Sequence, residues 1–318
     1  MAISPDLSSI LRAKELLARY LPITSAVPAR SLSGDRTPVY LKLETDLPTG
    51  SFKPRGAIYA LAINLARRKI AEVTASSTGN HGAAVAYACR LLGVPATIFL
   101  PMNPNPVKRD KIRELGARIV ESGAEDCAQA FLQADEYSRQ PGFYFLNDAT
   151  DPDLPAGPAT IGLEIAEQVP QVSTIYVPMG DTALIRGVAA AAKQLIPGVR
   201  IVGVQAERAP SYYLSWKEGT PVPTDTCDTC ADGLATRTPD AENVRAIREL
   251  VDDVVLVSEE QMLCAIRHLY EQEDVVAEPA GAAATAAYLA TPPRVGTSVL
   301  VLSGGNISEE VRRQAGIP

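Results

Sequence analysis

Val39-Tyr40-Leu41-Lys42-Leu43, followed after a short gap by Thr49-Gly50-Ser51-Phe52-Lys53-Pro54-Arg55-Gly56-Ala57, sets the pattern on which the chain is built. An apolar run of strand character is followed by a Thr-Gly turn and then by a helix that continues as Ile58-Tyr59-Ala60-Leu61-Ala62. Pro54 suits the first turn of that helix, because its missing N–H would have no partner there. Lys53 then sits at the positive end of the helix dipole, a placement expected to disfavour its charged form. A lysine so placed is suited to becoming a neutral amine and condensing with an aldehyde. A solvated loop lysine fits the same residues, so the segment alone leaves the choice open.

The strand-then-helix unit recurs along the chain. Strand-like runs are Val39–Leu43, Val73–Ser76, Ala96–Leu100, Arg118–Glu121, Ser173–Val177, Arg200–Gln205, Val254–Val257 and Ser298–Leu302. Helical segments between them are Pro54–Arg67, His81–Leu92, Pro106–Leu115, Ala124–Gln140, Pro158–Gln168, Ala183–Leu195, Glu259–Glu271 and Ala280–Leu289. Such alternation predicts an α/β fold with mostly parallel sheet covered by helices. Three compact units lie between about residues 72 and 147, which suggests a small domain, residues 71–147, inserted into a large one made of 1–70 and 148–318. The cleft between two such lobes is the expected ligand site. Arg208–Pro239 is poorly periodic and is expected to be irregular.

Composition narrows the class. The chain has 318 residues, 46% apolar and 21% charged, a globular profile. A net charge of -7 and the lack of a basic stripe argue against a nucleic-acid partner. No run is long and apolar enough to span a bilayer, and the polar, amphipathic Met1–Leu17 is not a signal peptide, so a soluble cytoplasmic protein is expected. Five cysteines fit a reducing compartment. Cys227-Asp228-Thr229-Cys230 has CxxC spacing but lacks the second half of a zinc site and a preceding strand.

Three further segments carry chemistry. Ser76-Ser77-Thr78-Gly79-Asn80-His81-Gly82 joins a strand to a helix, a turn suited to a carboxylate or phosphate, or to N-capping alone. Pro178-Met179-Gly180-Asp181-Thr182-Ala183-Leu184-Ile185-Arg186-Gly187 repeats that topology, with one glycine in the turn and neither a GxGxxG nor a Walker lysine. Ser303-Gly304-Gly305-Asn306 ends the last strand, where glycines admit a flat ring or simply make a turn.

Taken together, the four segments resemble the serine/threonine dehydratase branch of the fold type II pyridoxal-phosphate enzymes, a two-lobed architecture like the tryptophan synthase β subunit. Leu41-Lys42-Leu43-Glu44, Ala231-Asp232-Gly233-Leu234-Ala235 and Glu278-Pro279-Ala280-Gly281-Ala282 also match, so the likeness runs from about Val39 to Asn306. The resemblance implies pyridoxal 5'-phosphate as cofactor, held by Lys53 as a Schiff base. Phe52 would flank the ring, Asn80 would bond its 3′-oxygen, and Ser303 would meet its nitrogen. Gly180, Asp181, Thr182, Ala183 and Leu184 would cradle the phosphate. Ser77, Thr78, Gly79 and His81 would surround the substrate carboxylate, with Lys53 as base and Thr78 as a candidate acid on the opposite face. A neutral hydroxyl at Ser303 leaves the ring less protonated than a carboxylate would, which favours β-elimination or β-replacement over transamination.

The implied reaction is β-elimination of water from a β-hydroxy amino acid such as serine, threonine or 3-hydroxyaspartate, giving a 2-oxo acid and ammonia. Alternatives are a β-replacement synthase of the cysteine-synthase type, an amino-acid racemase, and a non-catalytic pyridoxal-phosphate or metabolite-binding protein. Homodimers are common among relatives. Departures from the branch are Gly180-Asp181-Thr182-Ala183 in place of a glycine run and Thr78 in place of alanine or serine. Asp181 is expected to turn from the phosphate, capping the helix or meeting Arg186. Glu207 matches one ligand of a divalent-cation site, but Tyr213 stands where a second carboxylate is expected. Arg55, Tyr212, Tyr213 and Arg237 are candidates for shaping specificity. The absence of sequence beyond Pro318 predicts no C-terminal regulatory domain and a catabolic or specialised role.

Overall fold

The computed structural model describes residues 4–77, 79–102, 106–121, 127–293 and 295–318. Its strands are β1 (Ala26–Pro28), β2 (Val39–Leu43), β3 (Glu72–Ser76), β4 (Ala96–Leu100), β5 (Arg118–Glu121), β6 (Phe143–Phe145), β7 (Val172–Pro178), β8 (Arg200–Ala206), β9 (Asp253–Val257) and β10 (Thr297–Leu302). Helices are α1 (Leu7–Leu17), α2 (Lys53–Arg67), α3 (Asn80–Leu92), α4 (Pro106–Glu114), α5 (Cys127–Ser138), α6 (Ala156–Gln168), α7 (Ala183–Leu195), α8 (Ser211–Glu218), α9 (Ala241–Leu250), α10 (Glu259–Glu273), α11 (Pro279–Ala290) and α12 (Glu309–Ala315).

Two sheets result. Six strands run in the order β1-β2-β10-β7-β8-β9, and four in the order β5-β4-β3-β6. All neighbours are parallel except β1 and β2. β10 lies inside the larger sheet and every residue of Thr297–Leu302 is buried, with the apolar run Val299–Leu302 expected of a strand covered on both faces. β1 is an antiparallel edge ending at Pro28, a residue that blocks further pairing.

Small residues let helices approach closely. A Cβ on Gly157 of α6 would fall on the Arg55 carbonyl oxygen of α2, and one on Gly187 of α7 would lie 2.5 Å from the Pro155 oxygen. These contacts fix the first turns of α2 and α7.

Behind α2 sits a buried ionic cluster. Arg55 is 2% exposed, and its guanidinium donates to Glu44 Oε2 at 2.8 Å and to Glu164 Oε1 at 2.5 Å. Lys42 Nζ reaches Glu164 Oε2 at 2.6 Å, and Thr24 Oγ1 bonds Glu44 Oε1 at 2.6 Å. Arg55 therefore serves packing of the core and not specificity, which corrects the expectation above. The two carboxylates outweigh the burial that opposes its charge, and its pKa stands above the ordinary arginine value.

The predicted elements are present, mostly within a residue or two of their expected ends; α5 starts at Cys127, and residues 124–126 of its expected start lie outside the described residues. Arg208–Pro239 is less irregular than expected. It contains α8, closed at Gly219 in a left-handed conformation, and buries Tyr212. The Tyr212 hydroxyl receives the Asp240 N–H at 3.1 Å and Asn243 Nδ2 at 3.2 Å, so it supports the wall of the fold.

Candidate active site

The carboxyl ends of parallel strands β2, β3, β7 and β10 converge on one cleft of about 300 Å³. This is the edge where open α/β sheets bind ligands. The first and last segments are sewn together. Ser51 and Gly304 form an isolated antiparallel bridge, Phe52 N–H donates to the Ser303 carbonyl at 3.0 Å, and Gly305 N–H donates to Gly50 at 2.9 Å. Gly50 takes a φ of 71°, which glycine tolerates without strain.

Lys53 is the first residue of α2 and faces the cleft. Its Nζ lies 2.5 Å from Asp148 Oδ2 and 5.3 Å from the centre of the Phe52 ring. Burial favours the neutral amine, but the charges of Asp148 and Asp181 and the Asp148 hydrogen bond outweigh it. The Lys53 pKa is raised. This corrects the expectation from the helix dipole, because a carboxylate in contact has a stronger hold than half a charge spread over the helix end. Burial opposes ionisation of Asp148 too, yet its carboxyl stands well below its ordinary value beside His81 and Lys53. Burial lowers the pKa of His81, with the Asp148 charge opposing it.

At the β3–α3 turn, Ser77 Oγ accepts the Gly79 N–H at 3.2 Å, and a Cβ on Gly79 would meet nothing. Thr78 lies outside the described residues. Asn80 Nδ2 donates to Glu278 Oε1 at 2.6 Å, and its Oδ1 accepts from Asn306 Nδ2 at 2.7 Å. Asn306 Oδ1 in turn accepts from Lys111 Nζ at 2.8 Å. His81 is 4% exposed, with Nε2 placed 2.8 Å from the Leu146 carbonyl and Nδ1 3.8 Å from Asp148. Donation from Nε2 to that carbonyl leaves a lone pair on neutral Nδ1.

The β7–α7 turn carries Gly180, Asp181, Thr182, Ala183 and Leu184, all lining the cleft. Thr182 adopts a φ of 69°, and its buried hydroxyl has no hydrogen-bond partner among the described residues. The first turn of α7 has no acidic residue. Asp181 neither caps α7 nor meets Arg186; it accepts from Thr236 Oγ1 at 3.0 Å. Arg186 donates instead to the Ala149 carbonyl at 3.0 Å. Burial first, then the Asp148 charge, pushes the Asp181 pKa up to about 6. Ser303 Oγ also faces the cleft, with a long contact of 3.5 Å to the Ala280 carbonyl. An unpartnered hydroxyl at a helix N-terminus, a second lightly used hydroxyl and an amine fit a phosphorylated aldehyde on a ring. Asp181, in the same turn as Thr182, is set against a phosphate there.

Every predicted site residue that is described lines this cleft. Arg55, Tyr212, Tyr213 and Arg237 do not. Asp148 was missed; it follows β6, whose three residues give too short an apolar run to read as a strand. Cys230 borders the cleft as a free thiol pushed up to about 12 by burial and Glu259. Among the described residues no group of three His, Cys, Asp or Glu is arranged to hold a metal ion, and no helix is long and apolar enough to cross a membrane.

Residues 18–304 match the family model described as pyridoxal-phosphate dependent enzyme. An L-threonine ammonia-lyase of Geobacter sulfurreducens is 39% identical over 85% of this chain and 67% of its own. A putative threonine dehydratase of Sinorhizobium fredii is 37% identical over 97% of this chain and 94% of its own. Among solved structures, a threonine deaminase from T.th. superposes with a TM-score of 0.88 at 33% identity, covering 96% of this chain and 99% of that one. Maize serine racemase gives 0.89 at 29% identity, covering 98% and 97%. The chain belongs to the fold type II family of pyridoxal-phosphate dependent enzymes. Within that family it is a carbon–oxygen lyase.

Proposed function

We propose that the chain is an ammonia-lyase that removes water from L-threonine or L-serine and releases a 2-oxo acid and ammonia. The observation that carries this reading is the placement of the Lys53 amine and the neutral Ser303 hydroxyl on one cleft, at the ends of adjacent strands. Pyridoxal phosphate, when bound, supplies an electron sink for the substrate Cα. Lys53 would hold its aldehyde carbon and would be the base for the Cα proton. Thr182 and the amides opening α7 would receive the phosphate, Asn80 the 3′-oxygen and Ser303 the ring nitrogen. The turn bearing Ser77 and Gly79 would receive the substrate carboxylate, with His81 also on the cleft lining.

Asp148 and Asp181 argue against 3-hydroxyaspartate. A further carboxylate on the substrate would meet these on a cleft wall that also carries Asp232 and Glu278, a repulsion on the order of a few kcal/mol at close range. In the same reading residues 71–147 form the small lobe, supported by the way the two sheets divide the strands.

The test is 2-oxo acid release from a panel of β-hydroxy amino acids, with Lys53→Ala as control and with added thiol to detect replacement. Release from threonine or serine, abolished in Lys53→Ala, is expected. A protein that binds the cofactor through Lys53 yet consumes none of the panel would end the lyase reading.

A further inference from the structure

Lys53 is in contact with a carboxylate that the elimination chemistry does not call for. Asp148 Oδ2 lies 2.5 Å from its Nζ, and both side chains are largely buried at 18% and 19% exposure. The loop bearing Asp148 is braced, because Asn147 Oδ1 accepts the Ala149 N–H at 2.9 Å and Asp151 N–H donates back to the Asn147 carbonyl at 3.0 Å. Other charged or titratable groups facing Lys53 come from three further elements: Asp181 before α7, Glu278 before α11 and His81 on α3. Asp148 alone makes a direct hydrogen bond to the amine among these.

We propose that Asp148 is a positioning residue for Lys53: it aims the amine into the cleft and keeps it an ammonium until an aldehyde arrives. This rests on the reading of Lys53 as the Schiff-base lysine. On condensation the nitrogen bonds to the aldehyde carbon. The aldehyde oxygen leaves as water with two of the three ammonium hydrogens. The third stays on nitrogen, so the positive charge remains beside Asp148 throughout. The pair thus delays the first attack and then favours the protonated form of the product.

The test uses the full chain stripped of cofactor. Lys53 is labelled with an acylating reagent across a pH series and quantified by mass spectrometry of its peptide, with exposed Lys217 as internal reference. Asp148→Asn is expected to raise the Lys53 labelling rate near pH 8 by about tenfold and to move its midpoint down by about one unit. Asp148→Glu should restore much of the original profile, and Asp181→Asn should move it less than Asp148→Asn does. A Lys53 profile unchanged by Asp148→Asn overturns the proposal. Should that variant not fold, the parent decides: a Lys53 midpoint above that of Lys217 supports the pair, and one at or below it overturns it. Because labelling is read without cofactor or substrate, its outcome is separate from whether the loaded protein eliminates water.

Discussion

Gly180 and Gly233 touch backbone to backbone: a Cβ added to Gly180 would fall on the Gly233 carbonyl oxygen. The loop opening α7 is therefore pressed against the Asp232–Leu234 turn, with no room for a methyl group. Gly180→Ala must displace one loop or the other. We expect a loss of pyridoxal-phosphate affinity of roughly tenfold or more, measured by titrating the visible absorbance of the lysine-bound cofactor. Gly233→Ala meets only the Ala280 methyl at 3.0 Å and should cost less.

Asp181 is the residue most at odds with a bound phosphate. Its folded pKa of about 6 stands above the ordinary aspartate value, so the folded chain holds the proton more tightly than the unfolded one. That contribution to stability is complete below the unfolded value and is lost as pH rises toward and through about 6. Asp181→Asn should stabilise the cofactor-free protein above neutrality by on the order of 2 kcal/mol, with the gain vanishing near pH 4, as read by urea unfolding at the two pH values. The same variant should bind the cofactor more tightly at pH 8 than the parent does.

The cluster behind α2 gives the opposite sign. Burial opposes ionisation of Glu164, but Arg55 and Lys42 outweigh it and hold its carboxyl below the usual range. Its contribution is present above the unfolded carboxylate value and lost as pH falls through the folded one. Glu164→Gln leaves buried cations short of a partner and should cost about 3–5 kcal/mol at neutral pH. The gap between variant and parent should narrow in acid, as followed by chemical denaturation.

Ser303 makes only a long contact in the cofactor-free site. Ser303→Ala should change stability by less than about 1 kcal/mol while lowering turnover. Ser303→Asp should keep the ring nitrogen protonated and divert part of the reaction to transamination, measured as cofactor lost to its amine form per turnover.

The parallel sheets were legible because buried strands carry apolar runs, such as Val299–Leu302 in β10, between helices with clear ends. The four cleft segments were legible because each joins a strand to a turn of distinctive residues. Lys53 was found for a sound reason, but its charge was misjudged, since Asp148 is separated from it by 95 residues and no local pattern links them. Arg55 was placed in the wrong role for the same reason. A charged residue in the first turn of a helix reads as exposed until Glu44 and Glu164 are brought to it by the fold. Short elements such as β1 and β6 hold their shape through neighbours and leave little trace in periodicity.

Lys53 and Arg55 are two positions apart on one helix, which turns their side chains about 200° from each other. One points into the cleft while the other is gripped from behind by two carboxylates. The grip acts as a torque lock: α2 cannot roll about its own axis without tearing a guanidinium from both partners. The bearing of the reactive nitrogen is thus set at the rear of the helix, by residues that never meet a substrate. Variants of that rear cluster should scatter the aim of Lys53 even where the chain still folds.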